Sequence, residues 1–387
     1  MSAPPTSTPR LALIAGEPSG DLLGAALIRA LSARLPDAHF SGVAGVQMCA
    51  AGCRPLARID ALSVMGLAEV LRHLPRLLLL RRRLTRELRR WRPDVVIGID
   101  APDFNLPLER RLRRAGLRTL HVVSPTVWAW RAGRVHTVAA ATQRLLVLLP
   151  FEPDCYRGVA LHVDYIGHPL ADEIDAVPDP LPARAALDLD AHGPVLAVLP
   201  GSRRSEVERL AMPFAAAVAL LTRRRRDLQV VTPLAAENLR APIEAAIAAA
   251  SPDCRWRLIE GRARVAMAAA DAVLLASGTA ALEALLIGRP MVVGYRVSPV
   301  SAALLRRAGL LKIRHVSLPN LLCSQPVVPE FLQRGLTPPA LADALEVLFE
   351  DGGPRRRQLD AFAALRPQLR RGAAARAAGI IAQMLER

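Results

Sequence analysis

Short apolar runs that end in Gly, Asp or Ser, each followed by a longer helix-like stretch, recur along the chain and constrain it more than any other feature. Such alternation belongs to a parallel sheet, whose strands are buried on both faces and must be joined by crossover helices. The clearest runs are Leu11 to Ala15, Val95 to Ile99, Thr119 to Val123 and Leu145 to Leu149. A second series follows the Pro/Asp-rich stretch Asp172 to Pro182, with Val195 to Leu199, Leu228 to Thr232, Ala272 to Ala276 and Met291 to Tyr295. With 387 residues, at about 150 per domain, the pattern predicts an α/β chain of two doubly wound, Rossmann-like domains with a cleft between them. The boundary is expected near Gly167-His168-Pro169, giving an N-terminal domain at 1–170 and a second at 171–355. Ligands of open α/β sheets bind beyond the carboxyl ends of the strands, so the residues that follow each run carry the functional reading.

Composition narrows the partners. Hydrophobic residues are 52% and charged residues 22%, which excludes a disordered chain. Aromatics at 4% leave few platforms for stacked bases, so nucleic acid is not the expected partner. The net charge of +16 would attract polyanions or an anionic membrane. Lys312 is the only lysine, however, and so strong an arginine bias points to codon usage rather than to function. Five cysteines without a CxxC pair argue against a disulfide framework and for a reducing compartment. Cys49 and Cys53 lack a second ligand pair, so neither metal nor another cofactor is expected. The apolar run near the N-terminus is too short for an export signal, and Asp271 and Glu283 interrupt the longest spanning candidate, Val265 to Gly288. A cytoplasmic protein that does not cross a membrane is expected.

After the first run, Gly16-Glu17-Pro18-Ser19-Gly20-Asp21 gathers backbone N–H groups at a helix N-terminus, where an anion can sit. Glu17 and Asp21 add negative charge that suits hydroxyl groups better than a diphosphate; a tight turn capped by Asp21 accounts for the same residues. Val95 to Ile99 ends in Asp100-Ala101-Pro102-Asp103-Phe104-Asn105. A partly desolvated carboxylate at a strand end can act as general base toward a sugar hydroxyl, and Asp100 is the first candidate. A helix cap is the alternative for Asp100 and Asp103 alike. Ser124 to Arg131 places Trp128 and Trp130 beside a cation, forming either a wall for a sugar or lipid head group or ordinary packing between domains.

In the second half, Pro200-Gly201-Ser202-Arg203-Arg204 brings N–H groups and a guanidinium together after a strand, a combination that favours phosphate. Ser277-Gly278-Thr279 opens a helix of small residues, where the diphosphate of a nucleotide fits, and Glu283, about one turn on, can accept from ribose hydroxyls. A buried αβ turn is the plainer account. Asp188-Leu189-Asp190 resembles a cation-binding DxD but lies in a linker-like region and reads as solvated. The segment Leu67 to Trp91 repeats leucine at helical spacing among arginines, including Leu77, Arg76 and Arg81. It is a basic amphipathic helix, able to lie on an anionic bilayer with Leu67, Val70, Leu71 and Leu74 in the acyl boundary, or to serve as a crossover helix with a solvated basic face.

Six blocks in order, AGEPSGD (Ala15 to Asp21), VIGIDAPDFN (Val96 to Asn105), SPTVWAWR (Ser124 to Arg131), LPGSR (Leu199 to Arg203), LASGTAALE (Leu275 to Glu283) and SLPNLL (Ser317 to Leu322), resemble the lipid-A-disaccharide synthases, a family of bacterial glycosyltransferases. The resemblance covers nearly the whole chain. It implies a GT-B fold and transfer of 2,3-diacylglucosamine from UDP-2,3-diacylglucosamine to 2,3-diacylglucosamine 1-phosphate, forming a β-1,6 linkage with inversion and releasing UDP. By motif, Asp100 corresponds to the base, and Glu17, Arg203, Ser277, Gly278, Thr279, Glu283 and Asn320 to the UDP side. Ser19, Gly20, Asp103, Trp128 and Arg131 fall in the acceptor-side loops. The resemblance further implies a peripheral protein of the inner membrane and a homodimer with exchanged C-terminal parts, in which 356–387 returns to an N-terminal domain. A UDP-sugar 2-epimerase shares the architecture and is the competing enzyme; a basic nucleic-acid-binding protein is the non-enzymatic alternative.

Overall fold

In the computed structural model, residues 8–62, 67–129, 133–174, 177–251, 253–297 and 315–386 are described, with side chains throughout except at 67–74. The chain divides into two compact units, Met1–Asp172 with Leu369–Arg387, and Glu173–Gln368.

The first unit is built on seven strands: β1 (Arg10–Ala15), β2 (His39–Ala44), β3 (Cys53–Arg58), β4 (Val95–Ile99), β5 (Thr119–Val122), β6 (Arg144–Val147) and β7 (His162–Tyr165). Every pairing is parallel and the order is β3-β2-β1-β4-β5-β6-β7. The order reverses between β1 and β4, so the loops leaving these neighbours diverge and open a crevice at their carboxyl ends. Both strands are almost wholly apolar, because helices cover them on both sides. On one side lie the helix Pro18–Ser32 and the last helix, Ala373–Leu385, which contributes Ala377, Ala378 and Ile381 to the core. Asp172 accepts from Gly372 N at 2.9 Å and Ala373 N at 2.6 Å, fixing the start of that last helix. The stretch 356–387 is therefore divided between the two units. The helix Gly353–Leu369 stays almost entirely with the second unit, where Gln358 exchanges hydrogen bonds with the backbone of Met291.

The arginine-rich segment forms the helix Leu67–Trp91. Leu84 and Leu88 are fully buried in the core, contributing roughly 1.5–3 kcal/mol each, and Leu80 and Trp91 pack against it. Leu77 is half-buried and Arg76 exposed, while Arg81 is half-buried with a guanidinium pKa lowered by burial and by Arg111. This half of the helix is a crossover element with its basic face in water. The side chains of Leu67, Val70, Leu71 and Leu74 lie outside the described residues. Among the described residues no helix is long and apolar enough to cross a membrane.

The second unit carries β8 (Val195–Leu199), β9 (Gln229–Leu234), β10 (Arg255–Glu260), β11 (Ala272–Ala276), β12 (Met291–Tyr295) and β13 (Glu330–Leu332). They are all parallel, in the order β10-β9-β8-β11-β12-β13. Here the reversal falls between β8 and β11, which again nominates the loops after those two strands. Asp188 and Asp190 pair with Arg257 and Arg255 on β10, so the DxD-like stretch is an exposed ion-paired turn.

Candidate active site

In the first unit the turns after β1 and β4 lie side by side. Gly16 is required by this proximity, because a Cβ there would fall 2.3 Å from that of Ala101. Gly20 faces the same way, its missing Cβ 3.5 Å from the carbonyl of Ile99. Asp100 and Ala101 take φ of 51° and 43°, two successive left-handed residues that are not glycine. Such conformations cost on the order of 1–3 kcal/mol each and persist only where the surroundings over-determine them. Ala101 also precedes Pro102, which disfavours helical backbone at the residue before it. The half-buried Asp100 carboxylate makes no hydrogen bond or ion pair with the described residues. It is not the cap of the following helix, Pro102–Arg114, which has no side-chain cap; Asp103 sits in that helix's first turn, exposed, and pairs with Arg134.

Glu17 and Ser19 are exposed beside Asp100's turn, and Glu17 caps nothing. Asp21 is buried and serves a different helix from the one expected. It accepts from Gly45 N at 2.7 Å, Gln47 N at 2.9 Å and Met48 N at 3.2 Å, holding the start of the helix Val46–Ala50 after β2. Strain continues at the end of β5, where Val123, a β-branched residue, has φ of 77°. The next residue, Ser124, is buried and meets the Tyr156 hydroxyl at 2.8 Å. Trp128 is half-buried, its ring edge-on to Phe151 at 5.7 Å, a packing role toward the loop after β6. Buried Glu152 in that loop accepts from Leu148 N at 3.1 Å and Leu149 N at 2.9 Å, yet burial still pushes its carboxyl up to about 7. Arg131 lies outside the described residues.

In the second unit, a cavity of about 280 Å³ opens at the β8/β11 reversal. Ser277, Gly278, Thr279 and Glu283 all line it, with Gly201, Ser202 and Glu206 opposite. Gly278 precedes the helix Thr279–Ile287, and nothing lies within 4 Å of where its Cβ would be, so the helix start is open to a ligand. The leading N–H groups of a helix have no intrahelical acceptor, which suits this end to a diphosphate. The Ser277 hydroxyl is already donated to the Val316 carbonyl at 2.6 Å, leaving it only acceptor capacity. Glu283 accepts from Arg264 at 2.8 Å, and Arg264 also reaches Glu173, so that carboxylate is held in place from one side.

Two anticipated residues of this unit do not themselves line the cavity. Arg203 is 78% exposed, does not line the cavity, and lies 3.5 Å from Glu206. The Ser202 and Arg203 N–H groups both point to Glu206, at 3.2 and 3.4 Å, so they brace the loop. Asn320 is buried with all its capacity engaged: Nδ2 donates to the Val328 carbonyl and Glu330, and Oδ1 accepts from Val327 N and Val328 N. Sequence reasoning passed over Glu206, which braces its own loop, and over Glu330 and Asn105, which reach backbone groups brought to them by the fold. For Glu206 a signal existed: an acidic residue three positions into a helix after a loop commonly reaches back to that loop.

The family model for lipid-A-disaccharide synthetase matches residues 11–384. The chain is 52% identical over 375 residues to the lipid-A-disaccharide synthase of Alkalilimnicola ehrlichii, covering 96% of this chain and 97% of that one. It is 49% identical to that of Haemophilus influenzae, covering 89% and 88%, and 47% identical to that of Xanthomonas campestris, covering 97% and 86%. Among solved structures it is similar in fold to a UDP-GlcNAc 2-epimerase from Neisseria meningitidis bound to UDP-GlcNAc, with TM-score 0.66, 13% identity and coverage of 98% and 100%. The glycosyltransferase of kitacinnamycin follows at TM-score 0.65, with 18% identity and coverage of 97% and 99%. The two parallel-sheet units are those of the GT-B architecture. The chain belongs to the lipid-A-disaccharide synthase family and is a glycosyltransferase of the type that forms the lipid A disaccharide.

Proposed function

We propose that this enzyme transfers 2,3-diacylglucosamine from UDP-2,3-diacylglucosamine to the 6-hydroxyl of 2,3-diacylglucosamine 1-phosphate. The observation that carries the reading is the carboxylate of Asp100, half-buried, unengaged by any described residue and held on a strained turn at the β1/β4 reversal. As the acceptor oxygen bonds to the anomeric carbon, Asp100 takes its proton. The bond from that carbon to the diphosphate breaks and its electron pair leaves with UDP. One displacement inverts the anomeric centre and calls for no covalent intermediate. The acceptor belongs to the first unit, with Ser19 after β1 and Trp128 after β5 on either side of Asp100's strand, while Glu17, in the same turn as Ser19, is assigned to the UDP side. UDP belongs to the cavity of the second, where the start of helix Thr279–Ile287 balances the charge on the departing diphosphate and Glu283 faces the ribose. The UDP-GlcNAc bound to the Neisseria epimerase supports a nucleotide-sugar ligand on this architecture.

We assign the enzyme to the cytoplasmic face of the inner membrane as a peripheral homodimer, with the start of helix Leu67–Trp91 toward the lipid. The test of the chemistry is Asp100→Asn. Turnover should fall at least about 100-fold, within the range of general-base catalysis, while UDP affinity stays within about twofold. Near-parental turnover would remove Asp100 as the base. UDP-2,3-diacylglucosamine incubated without acceptor should be recovered intact; an epimerised sugar would favour the epimerase reading.

A further inference from the structure

Asn105 is 1% exposed and lies on the first turns of helix Pro102–Arg114. Its Nδ2 group points at three carbonyls: Asp100 at 2.8 Å, Ile14 at 3.1 Å and Ile99 at 3.3 Å. Ile14 belongs to β1, Ile99 ends β4, and Asp100 is the first left-handed residue beyond it. One amide therefore ties together the two strands that flank the reversal and the strained residue between them. Its Oδ1, by contrast, is buried with no hydrogen-bond donor among the described residues. An unsatisfied buried acceptor is destabilising, and a hydrocarbon side chain of the same size would avoid it. The contribution of an amide at this position must therefore come from its donors.

The rest of the turn is closed around the same point. Asp100 N donates to the Val122 carbonyl at 2.9 Å, and Phe104 N and Asn105 N both donate to the Ala101 carbonyl at 3.0 Å. Gly16 leaves room for the Ala101 methyl and no more. These contacts fix the backbone on either side of Asp100, but among the described residues only the Asn105 amide draws the Asp100 carbonyl inward, and turning that carbonyl inward sets the direction of the residue's side chain.

We propose that Asn105 is a positioning residue for the transfer reaction: its amide holds Asp100 in the left-handed conformation that aims the carboxylate at the acceptor hydroxyl. The consequence for catalysis rests on the reading of Asp100 as the base; the effect on the backbone does not.

Two measurements separate the two claims. Asn105→Ala in the full-length enzyme should lower kcat about 100-fold, the scale of a misplaced catalytic group, with KM for both lipid substrates within about threefold. Amide exchange followed by mass spectrometry should show faster exchange in the segment 99–105 and parental protection elsewhere. Adding Ala101→Gly, which accepts positive φ without strain, should recover at least tenfold of the lost kcat. A residue that merely fills the core would show no such recovery. If Asn105→Ala does not accumulate as folded protein, Asn105→Ser, which keeps one donor, should lose about tenfold with the same exchange pattern. Parental kcat in the variants, or a loss accompanied by faster exchange throughout the unit and no rescue by Ala101→Gly, would overturn the proposal. If Asp100→Asn turns over normally while local exchange at 99–105 still rises in Asn105→Ala, the base assignment fails and the positioning of the turn stands.

Discussion

Glu109 and His121 meet with Oε1 2.7 Å from Nδ1, and neither side chain has any exposed surface. The contact is possible because Gly98, paired in register with His121, lacks a side chain: a Cβ there would fall 1.8 Å from Glu109 Oε1. Removing one member of a buried pair leaves the other desolvated and alone, which typically costs about 3–5 kcal/mol. His121→Leu is expected to lower the melting temperature of the first unit by on the order of 10 °C. Gly98→Ala should do similar damage from the opposite side by displacing the carboxylate. Calorimetry on the full-length chain checks both, and a His121→Leu transition within about 2 °C of the parent would mean the pair contributes nothing.

Opposite pH dependences are built into the first unit. Burial raises Glu152 from 4.5 to about 7, so between those values the native carboxyl holds a proton that the unfolded one has lost. Its contribution is full at pH below 4.5 and is lost as pH rises through 7. Burial lowers His168 from 6.5 to about 4, consistent with its Nδ1 accepting from Leu170 N at 3.3 Å. That contribution is full above pH 6.5 and is lost as pH falls toward 4. Each is worth up to about 3 kcal/mol, and between pH 4.5 and 6.5 they offset one another. Denaturation series should therefore show Glu152→Gln losing stability more steeply toward acid than the parent, and His168→Gln losing it more steeply toward base. Parallel curves for all three proteins would contradict the assignment.

Most central strands were legible in the sequence and the outer ones were not; β2, interior but interrupted by Ser41 and Gly42, was not read either. β4, β8 and β11 are buried along their whole length and read as unbroken apolar runs, so their limits agree with expectation to the residue. β3, β7, β10 and β13 lie at sheet edges, carry polar residues such as Arg54, His162, Arg255 and Glu330, and present no such run. The site follows the same division. Asp100 and Ser277 to Thr279 stand just past strand ends, as expected, because strand ends are visible in sequence. The grip of Asn105 on Ile14 could not, since it spans 91 residues and two strands that become neighbours only in the folded sheet.

The loop after β8 offers a test of the cavity. Gly201 has φ of 133°, a conformation that favours glycine, and an added Cβ would lie 2.6 Å from that of Glu206. Gly201→Ala must therefore push Glu206 away from the Ser202 and Arg203 N–H groups and deform one wall of the cavity. UDP affinity by titration calorimetry is expected to fall roughly tenfold, equivalent to about 1.4 kcal/mol. Unchanged affinity would place the nucleotide elsewhere.

Asn320 separates two accounts of a single residue. The family resemblance places it on the UDP side, whereas the structure engages its amide completely: two donors to Val328 and Glu330, two acceptor positions filled by Val327 and Val328. A side chain in that state has nothing left to offer a ligand without breaking its own turn. Its contribution should then be to stability, by joining the helix Leu318–Leu322 to the start of β13 through Glu330, which also accepts from Val316 N and Ser317 N. Asn320→Ala would strand buried N–H and C=O groups at a cost of about 1–3 kcal/mol each. The melting temperature of the second unit should therefore fall by several degrees while UDP affinity, measured well below that temperature, changes less than threefold. A tenfold loss of UDP affinity at parental stability would reverse the conclusion, showing that the amide leaves its internal partners when nucleotide binds.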